Sequence, residues 1–317
     1  MDQVDEVKQK NDIVQVVGSH VNLKKAGRNY KGLCPFHQEK TPSFMVSPEL
    51  QIYKCFGCGE SGDVIAFLQK LEHMDFYEAL KFLADRVGIK LAPVSGKFGE
   101  NERIYQISHS ASNFYRYVLL SHSAGKKALA YLTRERGIRM DVVKKFNLGF
   151  SPDKPEVLAN YLIKKKKFSA EELIKAGLVY RRSGRLIDRF ARRLVFPISD
   201  HRGNVVGFAG RVLPDDKTEM GKYINSPETP VYHKSRSLYG LNFSKSEIKS
   251  SGSAVVVEGE LDFISTYRAG IKNVVAIKGT AFTLEQISLL SRFTSKLVLA
   301  LDSDFAGSIA ARRGITI

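Results

Sequence analysis

The three cysteines constrain this chain more than any other feature, because all of them fall within residues 34–58 and a histidine shares their spacing. Cys34-Pro-Phe-His37 and Cys55-Phe-Gly-Cys58 form two pairs separated by 17 residues. Each pair is a tight turn that aims two soft or borderline ligands at one point. A hairpin that joins the turns gives the closed tetrahedral Cys₃His set of a structural zinc site. An odd cysteine count at this spacing argues against a disulfide framework and for a metal site in a reducing compartment. We therefore expect one structural Zn²⁺ held by Cys34, His37, Cys55 and Cys58. Metal binding of order ~10 kcal/mol would fold a segment too small to bury much core alone.

Cations and aromatics alternate around these ligands: Lys24, Lys25, Arg28, Tyr30, Lys31, Phe36, Lys40, Phe44, Tyr53, Lys54 and Phe56. Aromatic faces stack on unpaired bases while cations follow a phosphate backbone, the mixture a single-strand binder needs. A ribbon also needs an aromatic core, so about half of these rings should be buried. The whole chain has 49 Lys+Arg against 33 Asp+Glu, a net charge of +16 that favours a polyanionic partner. The lysine run 164–167 reads as a solvated helix face. The N-terminus is charged from its second residue and lacks the apolar core of a signal peptide. No apolar run reaches ~18 residues, so no membrane span is expected and the chain reads as cytosolic.

Near the C-terminus, three short apolar runs at 254–257, 274–277 and 297–301 alternate with helix-length segments, as in a parallel α/β sheet. Glu258 ends the first run; Asp302 and Asp304 end the third. Carboxyl ends of parallel strands share one edge, where ligands bind. Three carboxylates on one edge repel unless a cation joins them, and hard oxygen ligands suit Mg²⁺. Between the two ends, helices are predicted over 64–71, 76–83, 103–120, 127–145 and 171–176. Strands are predicted over 194–198, 205–208 and 210–213, with a hairpin turn at 200–204. Asp63 is placed to cap the helix that follows it. A Pro/Gly/Ser stretch at 92–101 reads as a linker.

Three motif groups carry a resemblance. Cys34-Pro-Phe-His, Thr41-Pro-Ser-Phe44, Cys55-Phe-Gly-Cys58 and Gly62-Asp63 resemble the zinc-binding domain of bacterial DNA primases, with Ser61 a small departure. The segments around Tyr131-Leu, Arg136-Gly-Ile and Phe146-Asn-Leu-Gly-Phe-Ser-Pro152 resemble the opening of the primase polymerase domain. So do Asp188-Arg-Phe, Phe196-Pro-Ile, Gly207-Phe-Ala-Gly-Arg211, Lys222-Tyr-Ile-Asn-Ser-Pro-Glu-Thr-Pro230 and His233-Lys234. Glu258-Gly, Gly279-Thr280, Asp302-x-Asp304 and Ala306-Gly307 resemble the Toprim fold.

The resemblance implies an α+β multidomain chain: a zinc ribbon with helices over 1–91, a linker at 92–102, a mixed α/β basic subdomain over 103–250, and a Toprim parallel sheet over 251–317. It implies synthesis of RNA primers on single-stranded DNA at replication forks, with Glu258, Asp302 and Asp304 catalytic and holding two or more Mg²⁺ (or Mn²⁺) ions. Arg193, Arg211, Lys222, Asn225 and Lys234 would line the groove for template and nucleotide. Partners implied are the DNA template, ribonucleoside triphosphates and the RNA–DNA hybrid product. A replicative helicase would be met through a C-terminal region that lies beyond Ile317. The family's Toprim sheet continues past this point with another strand and two more acids, so the sequence reads as a piece of a longer chain. Ala191 stands where the family often has a cation, and Glu260 where it has an apolar or aromatic residue. Asp262 matches the family's Glu-Gly-x-x-Asp and could serve only to steady its helix. Two other readings stay open: a phage or plasmid primase–helicase fragment, and a single-strand-binding module whose Toprim sheet is not catalytic.

Overall fold

Over residues 44–47 and 52–55 buried side chains alternate with more exposed ones, and the two segments pair as antiparallel strands. The computed structural model describes residues 3–72, 74, 76–91, 97–214, 221–277 and 282–301, which divide into two units at 98/99. Asp302, Asp304, Gly279-Thr280, Ala306-Gly307 and residues 92–96 of the expected linker lie outside the described residues.

In the first unit, α1 (Gln3–Lys10) and α2 (Ile13–Gly18) precede a meander of β1 (Lys24–Ala26), β2 (Asn29–Gly32), β3 (Phe44–Ser47), β4 (Ile52–Cys55) and β5 (Ser61–Gly62). Phe44 and Val46 of β3 and Tyr53 and Cys55 of β4 point inward, the period-2 burial of a half-covered sheet. Phe44 stacks on Tyr53 with ring centroids 5.2 Å apart, and Phe67 meets Tyr53 edge-on. Phe67 comes from α3 (Val64–Glu72), which with α4 (Phe76–Arg86) closes the core. Asp63 does cap α3: its Oδ1 accepts the Ala66 N–H at 2.9 Å, while Lys8 Nζ lies 2.7 Å from Oδ2. Of the aromatics around the ligands, Phe44 and Tyr53 are buried and Phe56 is 70% exposed.

α5 (Lys97–Ser121), most of which belongs to the second unit, buries Ile104, Ile107, Ala111, Tyr115 and Val118 at helical spacing. The single helix expected over 127–145 is in fact broken. It consists of α6 (Lys126–Ala130), a wide turn over Tyr131–Glu135, and α7 (Met140–Lys145). Arg136 donates to the Tyr131 carbonyl, five residues back, and Gly137 sits at φ +59°, which ends the helix. There follow β6 (Gly149–Ser151), α8 (Val157–Lys164), α9 (Ala170–Lys175), and the hairpin of β7 (Val179–Arg182) with β8 (Arg185–Asp188). Asp188 accepts the amides of Leu158 and Ala159 at 2.8 and 2.9 Å, so one strand end holds the start of α8.

β9 (Arg193–Ser199), β10 (Val205–Val212) and β11 (Tyr223–Asn225) join β6 in an antiparallel sheet of order β11-β10-β9-β6. The two strands expected at 205–208 and 210–213 are one, because Ala209 and Gly210 stay paired with Phe196 and Val195. A bulge at Val206 follows the turn. Asp200 builds that turn: Oδ1 accepts the amides of Arg202, Gly203 and Asn204 at 2.8–2.9 Å, and Oδ2 accepts Arg202 Nε and Asn204 Nδ2.

The last sheet has order β12-β14-β13-β15, from β12 (Leu238–Tyr239), β13 (Ala254–Val257), β14 (Val274–Ile277) and β15 (Leu297–Leu299). β13 runs parallel to both β14 and β15; β12 is antiparallel to β14. Helices α10 (Leu241–Ser251), α11 (Glu260–Arg268) and α12 (Leu284–Ser291) alternate with the strands. Val257, Val274 and Ala276 face a core shared with Phe146 and Phe263, and Val256, Val275 and Ile277 face a second core with Ile248 and Leu290. Burial on both faces is why these strands read as unbroken apolar runs. Strands 254–257 and 274–277 are as expected; the third stops at Leu299 rather than 301. No helix among the described residues is long and apolar enough to cross a membrane.

Candidate metal centre and nucleic-acid interface

The four predicted zinc ligands converge. Cys34, His37, Cys55 and Cys58 place their ligating atoms within 4.8 Å of one another. Cys34 Sγ lies 3.8 Å from Cys58 Sγ, and Cys55 Sγ lies 3.8 Å from His37 Nδ1. A tetrahedral site with bonds near ~2.3 Å has edges of about 3.8 Å. The donor set therefore fits zinc in spacing as well as in chemistry. Backbone amides support the sulfurs in both turns: Phe36 N–H points to Cys34 Sγ at 3.4 Å, and Gly57 N–H to Cys55 Sγ at 3.4 Å. Burial pushes the Cys34 thiol up to about 12. Burial works the same way on Cys55, but the Ser43 hydroxyl and the Cys58 and Gly57 amides outweigh it and bring that thiol down to about 6.

The second site is built from two sheets. In the sheet of β9 to β11, cross-strand pairs Leu194–Arg211, Arg211–Tyr223 and Ala209–Asn225 put Arg211, Tyr223 and Asn225 on one face. Arg211 is 6% exposed, donates from Nη1 to Tyr223 Oη at 2.8 Å, and lies over the rings of Tyr131 and Tyr223. Burial raises the Tyr223 phenol. Arg136 Nε donates to Tyr131 Oη at 2.7 Å.

Glu258 is half-buried directly after β13, in the two-residue step before α11. Gly259 is the N-cap of α11, and Asp262 Oδ2 accepts its N–H at 3.1 Å, so Asp262 steadies the helix start as the sequence suggested. Val256 pairs with Leu299, and Ala300 N–H donates to the Val256 carbonyl, so residue 301 reaches the edge at which β13 gives way to Glu258. Glu260 is buried, with 4% exposure.

Arg193 stands apart from the other cations. Its strand neighbours alternate, so it faces away from Arg211, is 2% exposed, and sits against Gly210 among Phe190 and its neighbours. Its Nη1 donates to the carbonyls of Gly221 and Lys222 at 3.0 and 3.3 Å, and burial lowers its pKa from the usual arginine value. Lys222 is exposed, and Asn225 and Lys234 are partly so. Lys234 follows His233 on a loop where Glu228 accepts the Lys234 N–H at 2.9 Å. Sequence reasoning did not single out Tyr131, Arg136 or Tyr223 as site residues. The motif segments that contain them were the available signal.

The CHC2 zinc finger family matches residues 1–97, the DNA primase catalytic core N-terminal domain matches 114–245, and the Toprim domain matches 252–316. A zinc ribbon, a primase-type core and a Toprim domain in this order define a class of primase-like chains. A DNA primase of Clostridium acetobutylicum is 44% identical over 322 residues, covering 100% of this chain and 52% of the relative. The zinc-binding and RNA polymerase domains of Aquifex aeolicus primase superpose with a TM-score of 0.60 at 39% identity, covering 95% of this chain and 72% of that one. A DnaG primase catalytic domain bound to ssDNA gives a TM-score of 0.60 at 34% identity, covering 67% of this chain and 64% of that one. The chain belongs to the bacterial DNA primase family. It spans about half the length of the curated relatives it matches.

Proposed function

We propose that this chain carries the template-handling and catalytic parts of a primase that joins ribonucleoside triphosphates into short RNA primers on single-stranded DNA. The observation that carries this reading is the polar cluster of Arg211, Tyr131, Tyr223 and Arg136, whose turn is bound by Arg268 of α11, the helix that starts just after Glu258. A carboxylate edge facing a cationic, aromatic-lined surface suits a negatively charged strand and triphosphate next to a metal-binding acid.

Glu258, Asp302 and Asp304 would hold two or more Mg²⁺ (or Mn²⁺) ions, which supply activation of the attacking 3′-hydroxyl and neutralise phosphate charge. Arg211 and Arg136 would hold phosphate oxygens, with Tyr131 and Tyr223 fixing their guanidinium planes. Lys222, Asn225 and Lys234 would meet template or nucleotide from the loop side. Arg193 would act through the Gly221–Lys222 backbone that it holds. The zinc ribbon would present Phe56 and its neighbouring cation Lys54 to the template.

On this reading residues 1–91 form the zinc-binding domain, 92–102 the linker, 103–250 the basic subdomain and 251–317 the Toprim part. The protein would work in the bacterial cytoplasm at the nucleoid, release an RNA–DNA hybrid, and meet the replicative helicase through residues beyond Ile317.

The test is primer synthesis from labelled ribonucleotides on single-stranded DNA with Mg²⁺, comparing this chain with a form extended past Ile317. Glu258→Gln and Asp302→Asn would be made in the extended form. Product from the extended form, lost in both variants, supports the reading. No product from any form, with single-strand binding intact, would make the protein a binding module.

A further inference from the structure

The zinc quartet is tied together by a fifth side chain that belongs to neither ligand pair. Glu39 Oε1 accepts the Cys34 N–H at 2.7 Å and the Ser43 N–H at 3.0 Å. Glu39 Oε2 accepts the Ser43 hydroxyl and lies 3.4 Å from His37 Nε2. Ser43 Oγ in turn is 3.2 Å from Cys55 Sγ, and the Ser43 carbonyl accepts the Phe56 N–H. One carboxylate thus reaches the Cys34 backbone, the His37 ring and, through Ser43, the second turn. Its side chain is only 10% exposed.

We infer that Glu39 is the positioning residue of the metal centre, fixing His37 as an Nδ1 ligand. Nδ1 faces the Cys55 sulfur, whereas Nε2 faces Glu39. A carboxylate beside Nε2 keeps the proton there and leaves Nδ1 bare for the metal. Gly57 completes the cradle: a Cβ at that position would meet His37 Nε2 at 2.7 Å and Ser43 Oγ at 2.8 Å. The ring therefore has a backstop on one side and an anion on the other, and it cannot turn to offer Nε2 without losing both.

Glu39→Gln separates positioning from simple packing. Gln keeps the size and one acceptor, which the Cys34 and Ser43 amides claim. Its NH₂ then points at Ser43 Oγ and His37 Nε2, where it favours the tautomer with the proton on Nδ1. The inference rests on zinc occupancy, so metal content is measured first. Ring-nitrogen NMR shifts of the ¹⁵N-histidine-labelled, zinc-loaded protein then report which nitrogen holds the metal, and competition with a chromophoric chelator reports affinity.

The expected result is an Nδ1-metallated, Nε2-protonated His37 in the parent protein, and zinc affinity lower by about 10–100-fold in Glu39→Gln. A parent ring metallated through Nε2 would overturn the inference even if the variant failed to fold. So would a variant with parental affinity and ring shifts. Absence of zinc from the parent would overturn it together with the metal assignment.

Discussion

Asp188, first residue of a motif segment, shows how much one side chain can carry without touching either site. Its carboxylate receives two amides from the start of α8, yet burial dominates and pushes its pKa up to about 7. A carboxyl whose folded pKa exceeds its unfolded value binds more protons in the native state. Stability from this group is therefore greatest at low pH and is lost as pH rises from about 4 through about 7. The expected outcome is a urea midpoint that falls across this window by the equivalent of a few kcal/mol, with Asp188→Asn flattening it. A midpoint with the same slope in parent and variant would remove Asp188 as the cause. The zinc ligands were legible at this scale because thiolate chemistry leaves few uses for Cys-x₂-Cys. Glu39 was not, since a glutamate two residues after a ligand has no spacing rule of its own. Arg193 matched its motif as well as Arg211 did, and only cross-strand register could put them on opposite faces.

The wide turn over Tyr131–Glu135 and the strap that holds it are properties of elements rather than residues. Arg268, at the end of α11, donates to the carbonyls of Arg136 and Gly137. Lys145 of α7 donates to Tyr267 Oη at 2.7 Å on the same helix. The helix that begins beside Glu258 thus ends by fixing the turn that presents Arg136. Arg268→Ala is expected to weaken single-strand or nucleotide affinity several-fold while shifting stability by less than ~0.5 kcal/mol, because the side chain is exposed. Fluorescence anisotropy alongside a thermal melt checks this; equal affinity with an unchanged melt would show that the strap does not matter. Periodicity read the helices on either side of the turn correctly but ran them together, because Ala130-Tyr131-Leu132 keeps an apolar rhythm through the break. Parallel β13 and β14 were readable for the opposite reason: two covered faces leave no polar residue inside them. β1, β2, β7 and β8 went unread, since short exposed hairpins rich in lysine and arginine carry no apolar signal.

For the molecule as a whole, the net charge of +16 matters through where its cations stand. Buried Arg193 is spent on the Gly221 and Lys222 carbonyls and releases few counterions, whereas exposed Lys222 can release them. Single-strand affinity is expected to fall linearly with the logarithm of salt concentration. Lys222→Gln should reduce the slope's magnitude by about 0.7, one phosphate contact. A slope unchanged in this variant would place Lys222 off the strand's path. The hairpin turn built on Asp200 has a further bearing on what this architecture tolerates. Exposed loops usually accept insertions, yet here the five donors gathered by one carboxylate, together with the bulge at Val206, set the phase of all of β10. One residue more or less would exchange the two faces of the strand, sending Arg211 toward Phe190 and Phe208 toward Tyr131 and Tyr223. The loop is exposed in space but not free in length, and variation among such chains should accumulate everywhere on this surface except there.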